Sequence, residues 1–485
     1  MSEAAAPSGE KSKLRRVMGF WDVLLFNIAT VLGPRWIAAA AHNGQSSISL
    51  WAIAAVFFFV PTALIICELS TRFPEEGGLY VWTKEAFGDF HGFVAGWTYW
   101  IYTFFYFPGL LLASAAMGAY LGGNSTAWLA QNRTFLLAGS FALLLIAVLL
   151  NLIGLHIGKW LQNAGGIGTY VPLLILAAIG IAIWRLHGSV TQFSWAAMLP
   201  HADWGTVNLW PQLAFAFTGL ELVSAMSDEV RDPQRTLPRA ILGAGVLIAA
   251  MYIAGTIAVL AVLPAAQVDP KSGVFQAITY GSSILRIAAV GVFAAALVTV
   301  GNAGGVGSTV AGASRIPFVA GVDRYLPAAF GKIHPKWRTP HVAILVQATI
   351  SGLILLASQI SETANGAYLF VVDATNILYF IPFVYMYLAA MKLAFREDRS
   401  SNSRAVLVPG GKFGVFLTAG LGLLVVIAGI ALSFIPPEDT ASKFVFAIKL
   451  VAGTLLASMI GLVLYYRGAR QKTGQMPGVA SSSKF

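Results

Sequence analysis

The stretch NIATVLGPRWIAAAA (residues 27–41) places Gly33, Pro34 and Arg35 in the middle of a long apolar run. Proline lacks a backbone donor and clashes with the preceding helical turn, and glycine adds backbone freedom, so this pair predicts an interrupted helix. The interruption frees backbone N–H and C=O groups, which need partners in protein or a protein-lined cavity. A proline kink whose freed groups are satisfied by neighbouring helices is the alternative.

A second interruption is predicted in WPQLAFAFTGLELVSAMSDEV (residues 210–230), where Thr218 and Gly219 precede the acidic residue Glu221. Two helices broken at mid-depth in a membrane can present half-helix amino ends to a carboxylate and free carbonyls to a cation. The Arg35 guanidinium can bind a substrate carboxylate through two parallel hydrogen bonds, or pair permanently with Glu221 or a carbonyl. Glu221 itself can relay a proton or belong to a structural pair.

Composition identifies the setting as a membrane. Hydrophobic residues make up 57% of the chain and charged residues 11%, and the mean hydropathy is +0.73. Apolar runs of about 20 residues are long enough for a helix to cross the hydrocarbon core, whereas barrel strands are about half as long. The runs predict an all-α membrane protein with twelve transmembrane helices, at residues 18–42, 48–70, 91–121, 134–153, 161–184, 208–228, 238–263, 284–313, 341–358, 366–391, 413–435 and 443–466.

The distribution of basic residues supports this count. Of the 31 Lys and Arg residues, 24 fall on one side of the predicted membrane, six on the other, and Arg35 lies within it. The positive-inside rule therefore predicts a multi-pass protein of the cell (inner) membrane with both termini in the cytoplasm. The net charge of +10 follows from this topology, so it is no argument for a nucleic-acid partner.

The other chemistry-bearing residues do not form a site. The single cysteine, Cys67, excludes a disulfide within the chain, and the seven histidines are scattered without metal-ligand spacing. We therefore expect no metal and no cofactor, and a membrane-embedded enzyme or sensor is the less favoured class. The glycines of GNAGGVGST (301–309) predict close helix packing and not a phosphate loop, because the segment lacks lysine and lies in an apolar run.

The interruptions fall in the first helix of each of two five-helix halves. This placement predicts inverted repeats at about 17–186 and 208–392, followed by two extra helices at about 412–466, in a transporter domain at 17–466. The segments 1–16 and 467–485 are predicted to be cytoplasmic tails, of which the first and residues 472–485 of the second, rich in Ala, Ser, Gly and Pro, are predicted to be disordered.

Three long stretches also resemble a known family. They are FFFVPTALIICELSTRFPEEGGLYVWTKEAFGDFHGFVAGW (57–97), AFTGLELVSAMSDEVRDPQRTLPRAI (216–241) and ASRIPFVAGVDRYLPAAFGKIHPKWRTPHVAIL (313–345). These are similar to the loop and helix signatures of the amino acid–polyamine–organocation permeases. Within that superfamily the first-helix text most resembles the glutamate/γ-aminobutyrate antiporter-like branch, with the plant-type polyamine and cationic permeases as a second possibility. The resemblance implies a LeuT-type fold and no enzymatic activity.

The resemblance also implies a substrate site at the two interruptions. Its residues would be Val31, Gly33, Pro34, Arg35, Trp36, Phe215, Ala216, Phe217, Thr218 and Gly219. The first-helix motif of the family, usually Gly-Ser/Ala-Gly, falls here on Gly33, Pro34 and Arg35, so two of its three positions depart from the pattern. Phe215 falls where an aromatic covers the substrate, although it can equally be core.

Other positions bear on the route and on coupling. Tyr99, Trp100 and Tyr102 can line the route or simply pack. Proton-coupled relatives carry a lysine at the position of Thr169, where this chain has none. Thr169 with Ser308 and Thr309 can supply neutral oxygens to sodium, or these hydroxyls can bond neighbouring backbone.

These expectations converge on a secondary transporter that moves amino acids or related amines across the bilayer by alternating access, with a proton or a counter-substrate as possible coupling partner. The alternative within the superfamily is a polyamine or cationic amino acid uptake permease.

Overall fold

The computed structural model describes residues 16–200, 204–270, 272–358, 364–396, 405–434 and 443–474. These residues form helices joined by turns, with one isolated β-bridge between Met18 and Val230. The α-helices of the first half are α1 (Phe20–Val31), α2 (Pro34–His42), α3 (Ser46–Ala54), α4 (Val60–Arg72), α5 (Leu79–Phe87), α6 (Asp89–Gly118), α7 (Arg133–Ile153) and α8 (Leu155–His187). Those of the second half are α9 (Trp195–Met198), α10 (Trp204–Ala216), α11 (Pro233–Val262), α12 (Gly273–Ile284), α13 (Ala288–Val322), α14 (His341–Ser358), α15 (Ala364–Leu393), α16 (Gly411–Ser433) and α17 (Lys443–Gly474).

Shorter helical turns complete the chain trace. A π-helical turn at Ala55–Phe59 joins α3 to α4, so these elements form one continuous membrane-length rod. The 3₁₀ turns lie at Ala119–Ser125, Ala127–Gln131, Leu222–Glu229 and Ala265–Gln267.

Ten helical segments of the described chain are long and apolar enough to cross a membrane. They correspond to ten of the twelve predicted spans. The predicted span at 208–228 is broken after Ala216, and the span at 341–358 forms the shorter apolar helix α14. The membrane class is therefore confirmed, while the count of twelve stays a prediction.

The first interruption lies between α1 and α2. Helix α1 ends at Val31, and after Leu32 and Gly33 the helix α2 begins at Pro34. Proline suits the first position of a helix, because its missing N–H would have no helical partner there and its fixed φ is already helical. Pro34 therefore starts a new helix and does not kink an existing one. Gly33 must be small, since an added Cβ would lie 2.7 Å from Trp36 Cδ1.

The second interruption follows α10. Gly219 adopts a φ of +113°, which glycine reaches without the steric cost that a Cβ would impose. Its missing side chain also makes room for the first interruption, because an added Cβ would lie 3.1 Å from Val31 Cγ2. The two breaks therefore lie against each other. Beyond them the predicted span 208–228 continues as the 3₁₀ turn Leu222–Glu229 and not as α-helix.

Glycines bring α13 close to α8 and α1. An added Cβ on Gly304 would lie 2.2 Å from Gly165 Cα of α8, and one on Gly305 would lie 2.8 Å from the Ala29 carbonyl oxygen of α1. An added Cβ on Gly168 would likewise lie 2.4 Å from the Leu297 carbonyl oxygen. These backbone contacts confirm that the 301–309 segment serves close helix packing.

One face of the bundle is held together by ion pairs. Arg315 of α13 donates two hydrogen bonds to Glu229, from Nε to Oε2 at 2.9 Å and from Nη2 to Oε1 at 3.1 Å, and both side chains are buried. Lys84 of α5 lies 2.7 Å from Asp323. Partial burial lowers the pKa of the Lys84 ammonium, but the neighbouring Asp323 and Asp89 outweigh this effect and raise it above its ordinary value. We call this side, which includes residues 16–18, 84–89, 229–232 and 315–341, the basic face.

Two boundaries differ from the sequence prediction. Helix α17 continues to Gly474, so the predicted tail at 467–485 is helical over 467–474. The segment before the predicted span 284–313 contains a separate helix, α12, and α13 extends that span to Val322. Residues 1–15 and 475–485, on which the rest of the tail predictions fall, lie outside the described residues.

Candidate functional site

A narrow cavity of about 30 Å³ lies beside the first interruption. This volume holds one or two water molecules but no amino acid. Six predicted residues line the cavity: Val31, Gly33, Pro34, Arg35, Trp36 and Thr169. The structure thus brings the first-helix candidates together around one space.

Arg35 is the most unusual residue of this cavity. Its side chain is buried, and the guanidinium carbon lies 4.3 Å from the Trp36 ring centre and 5.1 Å from that of Tyr106. Within the described residues the guanidinium has no hydrogen bond and no ion pair. A desolvated cation–π contact contributes about 2 kcal/mol, whereas removing an ion from water costs several kcal/mol. The two ring contacts therefore leave the five N–H donors without acceptors among the described residues.

Glu221, in contrast, is fully bonded. Its Oε1 accepts hydrogen bonds from the Tyr99 hydroxyl at 2.7 Å and from the Tyr379 hydroxyl, and its Oε2 accepts the Gly219 N–H at 3.0 Å. The carboxylate thereby ties the second interruption to α6 and α15. The predicted alternative in which Arg35 pairs with Glu221 is not found in the described structure.

The hydroxyl of Tyr252 connects the two interruptions. It lies 2.6 Å from the Val31 carbonyl oxygen and 3.0 Å from the Ala216 carbonyl oxygen, either of which accepts its proton, and it accepts the Gly33 N–H at 3.2 Å. Its ring stacks on Trp51 at 4.3 Å. One fully buried side chain on α11 therefore accepts the Gly33 N–H and donates to one of the two carbonyls at a time, which links both breaks.

Aromatic rings surround a second, smaller space of about 10 Å³, which Arg35, Phe215 and Asn376 line. Phe215 contacts Trp36, Tyr106 and Tyr379 with ring-centre distances of 5.6, 5.8 and 5.1 Å. Tyr102 packs against Tyr379 at 4.2 Å. Phe215 thus joins α2, α6 and α15 through its ring contacts.

The remaining sixth-span candidates do not line the cavity. Phe217 is buried in the core between Trp51, Phe59 and Tyr252, so a direct substrate contact is not supported. The Thr218 hydroxyl donates to the Phe215 carbonyl oxygen at 2.6 Å. Ala216 and Gly219 contribute backbone groups, to Tyr252 and Glu221 respectively.

The three hydroxyls proposed as a sodium shell are not brought together. Gly301 lies level with Thr169, since an added Cβ there would be 2.7 Å from Thr169 Oγ1. Ser308 and Thr309 lie about two turns, or roughly 10 Å, further along α13. Thr309 Oγ1 donates to the Gly305 carbonyl oxygen at 3.0 Å, as expected for a hydroxyl that bonds its own helix.

Three site residues were missed by sequence reasoning. Tyr252 and Tyr106 lie in apolar helices among many aromatics, so no spacing distinguished them from packing residues. Asn376 lies beside Arg35 and Phe215, and both polar atoms of its side chain are buried without a hydrogen-bond partner among the described residues. An asparagine in an apolar run was the one available signal.

Comparison with known proteins identifies the family. A family model described as amino acid permease matches residues 18–457. The chain belongs to the amino acid permease family. It is a membrane transporter of amino acids or related amines, and its relatives are transporters and not enzymes.

Two relatives cover this permease almost completely. The uncharacterized transporter lpg1691 of Legionella pneumophila is 28% identical over 447 residues, which span 91% of this chain and 95% of the relative. The serine/threonine exchanger SteT of Bacillus subtilis is 24% identical over 461 residues, covering 87% and 97%.

The fold of the permease matches that of a solved transporter. The crystal structure of MhsT in complex with L-phenylalanine superposes with a TM-score of 0.65 at 14% identity, covering 86% of this chain and 99% of MhsT. This likeness confirms the LeuT-type fold with broken first and sixth helices.

Proposed function

We propose that this permease transports amino acids whose free carboxylate binds to Arg35, by alternating access between the two faces of the membrane. The observation that carries the proposal is a buried guanidinium that lines the cavity at the first interruption and has no anionic partner in the described structure. A carboxylate accepts two parallel N–H bonds from guanidinium, and this geometry supplies both the missing charge and the missing acceptors.

The usual carboxylate cradle of the family is altered in this chain. Pro34 has no N–H to offer, and the Gly33 N–H is bonded to the Tyr252 hydroxyl. Arg35 therefore takes over the role that bare backbone amides have elsewhere. Asn376, with both polar atoms unbonded in the described structure, is the second polar group that we assign to the substrate.

Charge also supports one of the two substrate classes. A polyamine carries no carboxylate and would bring further positive charge beside an unpaired guanidinium, which costs several kcal/mol in a buried site. Glu221 offers no compensation, because two tyrosines and a backbone amide already bond it. Arg35 therefore favours amino acids over polyamines.

We further propose exchange against a counter-substrate as the driving mode, supported by the exchanger activity named for the relative SteT. The separation of Thr169 from Ser308 and Thr309 supports a mode that does not need sodium. The excess of Lys and Arg on the basic face supports its assignment to the cytoplasm, with both termini there and the protein in the cell (inner) membrane.

Matched substrate pairs test the proposal. The purified permease is reconstituted in liposomes, and counterflow is measured with amino acids and with the amines that result from removing their carboxyl groups, such as arginine with agmatine and phenylalanine with phenethylamine. We expect exchange of at least one amino acid and at least about tenfold weaker competition by its decarboxylated partner. Equal competition by both members of every pair would contradict carboxylate recognition.

A further inference from the structure

A large basic pocket lies at the end of α13, away from the transport cavity. Its volume is about 610 Å³, and it is lined by Lys332, Arg338, Arg324 and His341 together with apolar groups of the 318–335 segment. No acidic residue lines it within the described chain. Lys332 and Arg338 are exposed and take part in no ion pair there. The pocket therefore offers concentrated positive charge at the basic face, where lipid headgroups lie.

An apolar groove of about 400 Å³ lies beside this pocket, between α6, α14 and α17. Each helix contributes residues at helical spacing: Trp97, Ile101 and Phe104 from α6; Val346, Ile350 and Ile354 from α14; Ala457, Ile460 and Leu464 from α17. Trp97 Nε1 donates to the Ala457 carbonyl oxygen at 2.9 Å and thereby fixes α17 against α6. The groove is a preformed slot in the membrane-spanning part of the bundle.

One loop separates the two spaces. Leu326, Pro327 and Phe330 face the groove, whereas Ala328 and Lys332 face the basic pocket. On α14, His341 lines the pocket and Val346 lines the groove, only about 7–8 Å further along the helix axis. The polar pocket and the apolar groove therefore lie side by side, in the same order as the headgroup and the acyl chain of a phospholipid.

We propose that the basic pocket and the apolar groove together bind one anionic phospholipid, with the phosphate headgroup at Lys332 and Arg338 and an acyl chain between α6, α14 and α17. A soluble phosphate matches only the pocket, and a neutral lipid matches only the groove. The juxtaposition selects a molecule that is anionic at one end and apolar at the other.

Trp100 adds an independent observation. This groove residue is 2% exposed, and its indole Nε1 is buried without a hydrogen-bond partner in the described chain. A buried unbonded N–H costs about 1–3 kcal/mol. The ester carbonyl of an acyl chain in the groove supplies the missing acceptor.

Native mass spectrometry of the purified full-length permease tests the headgroup part. The probes are phosphatidylglycerol, phosphatidylcholine and inorganic phosphate. The variants are the double substitution Lys332→Gln/Arg338→Gln and the matched control Arg231→Gln/Arg239→Gln, which changes two exposed arginines outside the pocket. We expect wild type and control to retain phosphatidylglycerol, and the pocket variant to bind it at least about tenfold more weakly, because each basic residue contributes roughly fivefold.

Three results would overturn the proposal. They are equal loss of phosphatidylglycerol in both double variants, equal retention of phosphatidylcholine by wild type, or displacement of the lipid by millimolar inorganic phosphate, which would identify a soluble anion as the occupant.

The acyl part is tested with Ile354→Trp, which fills the groove, against Leu353→Trp, a neighbouring residue that is 60% exposed. Only the Ile354 variant is expected to lose the lipid. Retention by both variants would also overturn the assignment.

Discussion

The two interruptions of the membrane helices treat their buried charges in opposite ways. At the second, the Glu221 carboxylate accepts three hydrogen bonds from Tyr99, Tyr379 and the Gly219 backbone. At the first, the Arg35 guanidinium lies over two aromatic rings and has no acceptor in the described structure. The second break is therefore complete without a ligand and the first is not. This contrast is the basis for the proposal that Glu221 is structural whereas Arg35 binds substrate.

The largest effect is expected from Gly219→Leu. The backbone φ of +113° strains any residue with a Cβ, and the added side chain would meet Val31 of the first break. We expect transport to fall below detection while the protein still inserts, measured as counterflow per quantity of reconstituted protein. Gly420→Leu is the matched control, because Gly420 lies in regular helix and an added Cβ there would be 3.9 Å from its nearest neighbour, Met391 Cε. Normal transport by the Gly219 variant would show that the second break is dispensable.

Glu221→Gln is expected to reduce stability strongly. The glutamine amide keeps one acceptor oxygen, but its NH₂ group replaces the other. That NH₂ group then faces the donors of the tyrosine hydroxyls or of the Gly219 N–H. Each hydrogen bond to a charged group contributes about 1.5–3 kcal/mol, so we expect a loss of at least about 2 kcal/mol in the ligand-free protein. Thermal unfolding followed by tryptophan fluorescence measures it. Unchanged stability would contradict the structural role of this carboxylate.

Tyr252→Phe is expected to have a smaller effect on both transport and stability. The substitution keeps the ring stack with Trp51 but leaves the Gly33 N–H and the Val31 and Ala216 carbonyls without their common partner. One unbonded buried group costs about 1–3 kcal/mol, and some of that cost is recovered where water enters. We expect a several-fold lower kcat in uptake assays. Tyr280→Phe, at a half-exposed position on α12, is the control. Equal effects of both substitutions would contradict the role of the Tyr252 hydroxyl in linking the two interruptions.

The smallest effect is expected from the removal of sodium. Since Thr169 is separated from Ser308 and Thr309 by about two helical turns, complete replacement of sodium by choline should leave the initial rate unchanged within error. A saturable sodium dependence that is lost in Thr309→Ala would reverse this prediction and would assign an ion to the α13 hydroxyls.

The positions of both breaks could be predicted because their signals are local. Gly33 with Pro34, and Thr218 with Gly219, limit the backbone whatever surrounds them. Hydropathy likewise predicted the membrane spans, since a helix must match the thickness of the bilayer. The 3₁₀ form of 222–229 was missed, because nothing in that segment distinguishes it from α-helix.

The partners of the buried charges could not be predicted. Tyr379 lies 158 positions from Glu221, and Tyr252 lies 221 positions from Val31, so only the packed bundle brings them together. In an apolar helix, a tyrosine whose hydroxyl bonds the backbone of an interrupted helix has the same local sequence pattern as a tyrosine that only packs against other side chains. The sequence alone therefore left open whether Arg35 pairs with Glu221, a question that depends on tertiary contacts.

Arg35→Lys tests the central claim most directly. Lysine keeps the positive charge but loses the planar fork, so we expect the KM for carboxylate substrates to rise at least about tenfold, or roughly 1.4 kcal/mol, with little change in the thermal stability of the ligand-free protein. Arg133→Lys, at an exposed position at the start of α7, should change neither quantity. An Arg35 variant with unchanged KM and sharply lower ligand-free stability would show that the guanidinium is structural and does not bind substrate.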